Sequence, residues 1–430
     1  MPSPSPPPPF HLLRSHHAPL SSVHFNPSNT LLYSGDQDGF ISILDLRVRR
    51  VIAYWKAHQG GILGLEEWQG GLISHGRDNV IHFYEPVKKP YIPMTGGGGT
   101  TKPLETVKSL PTNTLNFCRF SLTSLPAPSS SPDEDQEDNK SKGKEKEKEA
   151  LLAVPSLMDS ELVDIYHLPS LRRIHASVNL LPKPPSPPSN SGIPDSTRSG
   201  LAMSLHVRYL HSTSQVSLSI GYEDGRVELF ICALQSISQQ YDPRLSKIPN
   251  PWKLMWKGKG HNEAIMGMDV DTQGKFGWTV SADHRLVRYD FDRVIRQRIK
   301  VDDDSIMKDH ATKQVGNSAV AVNADGKLVA VGGWDGKIRL FSAESFKPLG
   351  TLSSHRETIH TLSFANLPVQ SNVPDIEEAS TLDIGIEDDS EEEDERIDMD
   401  GIPPKERWLA SGGKDTKVAL WGLMDFARGK

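Results

Sequence analysis

Cysteine is almost missing from this chain of 430 residues: Cys118 and Cys232 are its only two. Two thiols so far apart in sequence supply neither a Cys-rich metal site nor a disulfide framework, which suits a reducing compartment. Long apolar runs are missing as well. No stretch approaches the ~20 consecutive apolar residues that a membrane-spanning helix needs, so no membrane association is expected. Residues 1–9 hold only Ser and Pro after the Met, and with no basic start and no apolar centre they do not read as a secretory leader. Aromatics make up 7% of the chain, and the close basic runs at 47–50 and 293–300 are short. Direct nucleic-acid reading, which wants a basic stripe interleaved with aromatics, is therefore not expected. The nucleus, or else the cytoplasm, is the expected compartment.

What is present is one pattern written six times. Residues 329–341 form an apolar run, a Gly-rich turn with one Asp, and an alternating run in which Ile338 and Leu340 share a face, the pattern of a β-hairpin. The same order recurs at 32–44, 72–84, 218–230, 277–289 and 409–421. In each copy an Asp stands three residues before an aliphatic residue and six before a large apolar one: Asp38, Asp78, Asp224, Asp283, Asp335 and Asp415. A looser seventh copy runs from 151 to 166 past Asp159. Recurrence of one supersecondary unit is the signature of a repeat architecture.

Upstream of three copies a His precedes a short alternating strand: His58 before 62–65, His261 before 265–268, and His355 before 359–364. This arrangement resembles the WD-repeat family, and the resemblance implies an all-β, seven-bladed propeller of four-stranded sheets around a channel. It further implies a buried hydrogen-bonded set of His, strand Ser or Thr, turn Asp and Trp in each blade. His355, Ser411, Asp415 and Trp421 match all four members. Asp78 has His58 and Ser74 but Tyr84 in place of Trp, and Asp335 has Phe341 and no matching His.

Seven repeats of ~40 to 45 residues need roughly 300 residues, so the chain carries a surplus. That surplus is expected as disordered polar inserts near 86–112, 125–149, 181–199, 235–257, 292–311 and 365–404, within one propeller spanning 10–430 after a Pro-rich start at 1–9. Residues 10–16 resemble 349–355, the outer strand and His that lead into the last repeat. Residues 10–14 are therefore expected to complete the final blade and so remove an open sheet edge. Residues 375–400 hold fourteen acids against Arg396, a net of −13, which leaves +6 for the rest of a chain whose total is −7. Ser390, followed by three Glu, has the local charge of an acidophilic-kinase substrate, and phosphorylation there would add further negative charge. Residues 184–188 are Pro-rich and favour extended geometry, either as a spacer or as a ligand for a proline-reading domain. The Gly-rich stretch at 95–102 ends in Lys followed by Pro, with no helix pattern after it, so a flexible loop is expected there and not a phosphate-binding one.

Recurring His, Ser and Asp could suggest a hydrolase, but catalytic residues occur once per site, whereas these return blade after blade where a hairpin turn needs a local acceptor. No catalytic residue, metal ligand or cofactor is assigned, and a binding platform is the expectation. A closer resemblance lies in Tyr54-Trp55-Lys56-Ala57-His58, Ser74-His75-Gly76-Arg77-Asp78-Asn79, Asn113-Thr114-Leu115-Asn116-Phe117-Cys118, Leu152-Ala153-Val154-Pro155, Gly221-Tyr222-Glu223 and Gly333-Trp334-Asp335. In that order they resemble the fungal ASTRA-associated protein 1 family, related to the animal G-protein beta-subunit-like protein 1. The resemblance implies a non-enzymatic scaffold in the ASTRA chromatin assembly, linked to chromatin remodelling. It also implies contact with the co-chaperone machinery that matures phosphatidylinositol-3-kinase-related kinases, the chain being a monomer within a hetero-complex. The alternatives are a G-protein beta-like signalling subunit, for which the Pro-rich N-terminus offers no coiled coil, and a ubiquitin-ligase substrate receptor.

Overall fold

The computed structural model describes residues 7–89, 103–113, 118–126, 148–180, 200–297, 299–314, 316–368 and 402–424. They form seven antiparallel sheets of four strands each, a seven-bladed β-propeller. Blade 1 is Leu20–Phe25, Leu31–Asp36, Phe40–Asp45 and Arg50–Lys56, and blade 2 is Ile62–Trp68, Gly71–Gly76, Val80–Pro86 and Thr106–Pro111. The loose seventh copy is a full blade 3, Ser121–Ser124, Ala150–Pro155, Val163–Leu168 and Arg172–His175. Blade 4 is Ala202–Leu210, Gln215–Tyr222, Arg226–Ala233 and Trp252–Lys259, and blade 5 is Ile265–Val270, Phe276–Ser281, Arg285–Asp290 and Met307–Ala311. Blade 6 is Asn317–Val322, Leu328–Gly333, Lys337–Ser342 and Pro348–Ser353. Blade 7 joins the chain's two ends, pairing Ile359–Phe364, Trp408–Gly413 and Val418–Gly422 with His11–Leu13. His11 faces Leu420, Leu12 faces Ala419 and Leu13 faces Val418 across that closing ladder.

Three of the stretches read as inserts need correction. Thr106–Pro111, Trp252–Lys259 and Met307–Ala311 are outer blade strands lying in or across the spans 86–112, 235–257 and 292–311. Two short helices, Leu234–Ile237 and Phe291–Gln297, also stand there. Outer strands escape a hydrophobicity pattern because one long side of the strand meets solvent: Thr106–Pro111 buries only Leu110. Second strands are the opposite case. Leu31–Asp36, Ala150–Pro155, Leu328–Gly333 and Trp408–Gly413 are buried at every residue, because neighbouring blades cover both faces of the sheet.

The core is accordingly divided into seams, one between each pair of adjacent blades. Leu13, Val23, Phe25, Trp408 and Leu420 fill the seam between blades 7 and 1, and Tyr33, Ile41, Ile62 and Leu65 fill the next. A fully buried side chain of this size contributes about 1.5 to 3 kcal/mol, so the seams carry most of the ring's stability. Polar bolts add register at the inner strands: Val23 N–H donates to Thr361 Oγ1 at 3.1 Å, Val207 N–H to Ser121 Oγ at 3.0 Å, and Val322 N–H to Asp269 Oδ2 at 2.8 Å. Ser390, the Gly-rich stretch at 95–102, the Pro-rich stretch at 184–188 and the acidic run at 375–400 lie outside the described residues.

Candidate functional site

The hairpin turns that carry the recurring Asp residues all lie on one face of the ring, together with the loops that lead from each outer strand into the next blade. In blade 7 His355 links the two. Its Nδ1 lies 2.8 Å from Asp415 Oδ1 and its Nε2 lies 2.9 Å from Ser411 Oγ, while Trp421 Nε1–H donates to the same hydroxyl at 2.9 Å. The geometry repeats in blade 2, where His58 is 2.8 Å from Asp78 and 2.7 Å from Ser74, with Tyr84 in the Trp position. In blade 5, His261 is 2.9 Å from Asp283 and 2.7 Å from Thr279, which meets Tyr289 Oη at 3.0 Å.

Blade 1 departs from the expectation placed on Asp38. His16 binds Ser34 and Asp36, both at 2.8 Å, and Asp36 Oδ1 also accepts the N–H groups of Asp38 and Phe40, whereas Asp38 is exposed. The reason is spatial. In blades 2 and 7 the residue two before the turn Asp is Gly76 or Gly413, where a Cβ would fall 2.2 or 2.8 Å from the His ring. In blade 1 that position is Asp36, and its carboxylate enters the same space directly.

The other blades replace the His. Asp335 is clamped by Arg339, with nitrogen–oxygen distances of 3.0 and 2.6 Å. Asp224 takes the Arg226 side chain at 2.6 Å. Blade 4 also buries Glu228, which accepts Tyr222 Oη at 3.0 Å, and Tyr222 accepts Asn179 Nδ2 from the blade 3 side at 2.9 Å. Burial raises the Glu228 carboxyl above its ordinary value against the pull of that hydrogen bond and of Arg226 and Lys257. In blade 3 the turn is a longer loop at 156–162, and Asp159 caps only Glu161 N–H within it. The buried acid of that blade is Asp164, which accepts Ser177 N–H at 2.8 Å and pairs with Arg173.

An acid, an imidazole and a hydroxyl in line are the makings of a nucleophile, yet these hydroxyls are sealed. Ser34, Ser74, Thr279 and Ser411 are at most 1% exposed, so no substrate atom can approach the oxygen. Their role is to satisfy buried groups and pin the loop of one strand pair to the turn of the next. Burial holds His58 below its ordinary pKa even though the Asp78 hydrogen bond raises it, so the neutral ring is the resident form. Asp283 is the opposite case: burial alone would raise it, but the His261 hydrogen bond and charge outweigh that and hold it low.

The ring has two concave features. The central channel, about 540 Å³, is lined by the inner strands and includes His24, Glu66, Arg119, His206, Arg208 and Asp269. Burial and then Arg119 push His24 down to about 3, and burial raises Glu66 and Asp269 although both arginines pull them down. Two cations facing two carboxylates leave the channel without a dominant charge. A groove of about 930 Å³ lies on the opposite face, across blades 5 to 7, floored by Trp278, Leu328 and Leu423. Among the described residues no three His, Cys, Asp or Glu side chains gather into a metal-holding group, and no helix is long and apolar enough to cross a membrane. Both cysteines are buried, and burial pushes each thiol up to about 12.

A ring of seven four-stranded blades, joined by its own N-terminal strand and pinned by His–hydroxyl–Asp sets, is a WD-repeat propeller. The WD domain, G-beta repeat signature matches residues 8–45 and 304–342. Over 97% of its length the chain is 27% identical to ASTRA-associated protein 1 of Penicillium rubens, covering 98% of that protein. It is 27% identical to the protein of that name from Schizosaccharomyces japonicus over 97% of this chain and 99% of the other. It is also 26% identical to the guanine nucleotide-binding protein subunit beta-like protein 1 of Mus musculus over 98% and 97% of the two chains. The resemblance to the ASTRA-associated protein 1 family therefore extends over nearly the whole length of the chain.

Proposed function

We propose that this chain is a non-enzymatic scaffold subunit of an ASTRA-type assembly, serving chromatin remodelling and the maturation of phosphatidylinositol-3-kinase-related kinases, in the nucleus. The observation that carries the reading is the full-length similarity to proteins named ASTRA-associated protein 1. The structure supports the scaffold part. Its recurring polar residues are consumed inside the blades, its hydroxyls are sealed, and what remains accessible is a rigid rim of loops suited to holding other proteins. The test is affinity purification of the full chain from its own cells, followed by quantitative mass spectrometry and fluorescence localisation. Near-stoichiometric recovery of ASTRA components with nuclear signal is expected, and depletion of the chain should lower the steady-state level of the kinases. Recovery of a G-protein gamma-like partner or a cullin adaptor in their place would refute the reading.

A further inference from the structure

One loop of blade 4 holds an apolar side chain out in water on a turn fixed by its own hydrogen bonds. Leu245 is 82% exposed and Ile248 is 43% exposed, in the connection between Leu234–Ile237 and Trp252–Lys259. The loop is built. Leu245 and Ser246 N–H donate to Asp242 O at 3.0 and 2.8 Å, Arg244 N–H donates to Asp242 Oδ1 at 2.9 Å, and Asp242 N–H donates to Ser246 Oγ at 2.9 Å. Both ends are anchored to blade 3: Tyr241 exchanges backbone bonds of 2.8 Å with Ile174 and Ala176, and Asn250 Nδ2 donates to Val178 O at 3.0 Å. Pro243, Pro249 and Pro251 restrict the backbone further. A fixed turn with its donors satisfied pre-pays the ordering cost that binding otherwise exacts.

The charges around the knob that lack a partner among the described residues are of one sign. Arg244 and Lys247 flank Leu245 and are exposed, with no carboxylate partner among the described residues. Arg172 stands exposed on the neighbouring blade 3 strand. The nearby carboxylates are committed elsewhere: Asp242 caps its own turn and lies 3.7 Å from Arg173, and Asp164 is buried against Arg173 and Ser177.

We propose that the loop at 241–251 is a docking knob, and that its occupant is a partner protein carrying an apolar pocket rimmed with carboxylates, Leu245 filling the pocket and Arg244 and Lys247 meeting the rim. This rests on the scaffold reading only in taking the partner to be a protein. The probe is a photoreactive benzoylphenylalanine placed at position 245 of the full chain in its own cells, with Leu245→Asp, Leu245→Met and Arg244→Glu/Lys247→Glu variants alongside. A single saturable crosslink to an acidic, apolar-lined segment of another protein is expected. Recovery of that protein should fall at least tenfold with Leu245→Asp and with the charge reversal, but not with Leu245→Met, and all variants should melt as the wild type does. Recovery should also weaken as salt rises. A crosslink confined to this chain's own acidic residues, or unchanged recovery with Leu245→Asp while the assembly stays intact, overturns the knob and leaves the scaffold reading standing. Absence of any co-purifying protein for the wild type as well overturns both.

Discussion

Two aspartates two residues apart in the first turn should differ sharply in worth. Asp36 is 1% exposed and its carboxylate accepts three hydrogen bonds, one from His16 and two from the N–H groups of Asp38 and Phe40. Asp36→Ala leaves a buried imidazole donor without a partner in a site closed to water and removes the acceptor of two turn amides. An unmade hydrogen bond at a buried donor costs about 1 to 3 kcal/mol, and three donors lose their acceptor together, so a loss of about 3 kcal/mol is expected. Asp38 is exposed and accepts none of these bonds, so Asp38→Ala should stay within about 0.5 kcal/mol of the parent. Urea unfolding followed by tryptophan fluorescence and far-UV circular dichroism measures both, with midpoint shifts compared at equal slope. Equal destabilisation, or a larger loss at Asp38, would show that the His16 network is not what holds this turn.

The same logic predicts that Asp415→Ala, which strands His355, costs about 2 to 3 kcal/mol while Asp159→Ala in the exposed blade 3 loop costs under about 0.5 kcal/mol, readable by the same titration. His75 is pushed down to about 3 by burial, below its unfolded value of 6.5, so its contribution is fully present above pH 6.5 and lost as pH falls toward 3. That loss is about 1.4 kcal/mol per pH unit, and His75→Gln should flatten the fall of the urea midpoint between pH 6 and 4; an unchanged slope would place the acid sensitivity elsewhere. Deleting residues 1–13 removes the strand paired with Val418–Gly422 and the Phe10 ring 4.8 Å from Trp408, exposing a sheet edge. Light scattering should show aggregation for that deletion and none for deletion of residues 1–9, and a monomeric, normally melting 1–13 deletion would mean the ring closes without its N-terminal strand.

Central strands and turns were legible because their signal is local. A strand buried on both faces must be apolar throughout, and a tight turn must place a residue in the left-handed region after its Asp, as Gly39, Asn79, Gly225, His284, Gly336 and Thr416 do. The closing strand was legible for the same reason, since residues 10–14 repeat the pattern that leads into the last blade. Outer strands were not, because Thr106–Pro111 and Met307–Ala311 are solvated along most of their length and read like the polar connections beside them. The exchange of Asp38 for Asp36 was hidden too. Ser34 stands four residues before Asp38, the same offset as Ser74 to Asp78, and only the aspartate at position 36, where blades 2 and 7 have Gly76 and Gly413, marks the change. Blade 3 blurred because its turn lengthened to 156–162, and its buried acid moved onto the strand as Asp164.

Blades 3 and 4 both lack the His set, and the seam between them shows what replaces it. Eighteen buried side chains, from Cys118 and Leu151 to Phe230 and Trp252, fill that seam, against nine in the seam between blades 5 and 6. Its polar ties cross between the blades: Tyr222 links Glu228 to Asn179, and Trp252 Nε1–H donates to His175 Nδ1 at 2.8 Å while His175 Nε2 meets Gln239 O at 2.8 Å. A His–hydroxyl–Asp set fixes a turn within its own blade. These ties instead fasten one blade to the next through the connection that goes on to form the Leu245 loop. The loop thus stands on the most heavily packed joint of the ring, where local opening costs most. An apolar knob on a mobile loop would lose much of its burial energy to ordering, but one braced by this seam keeps it for the partner.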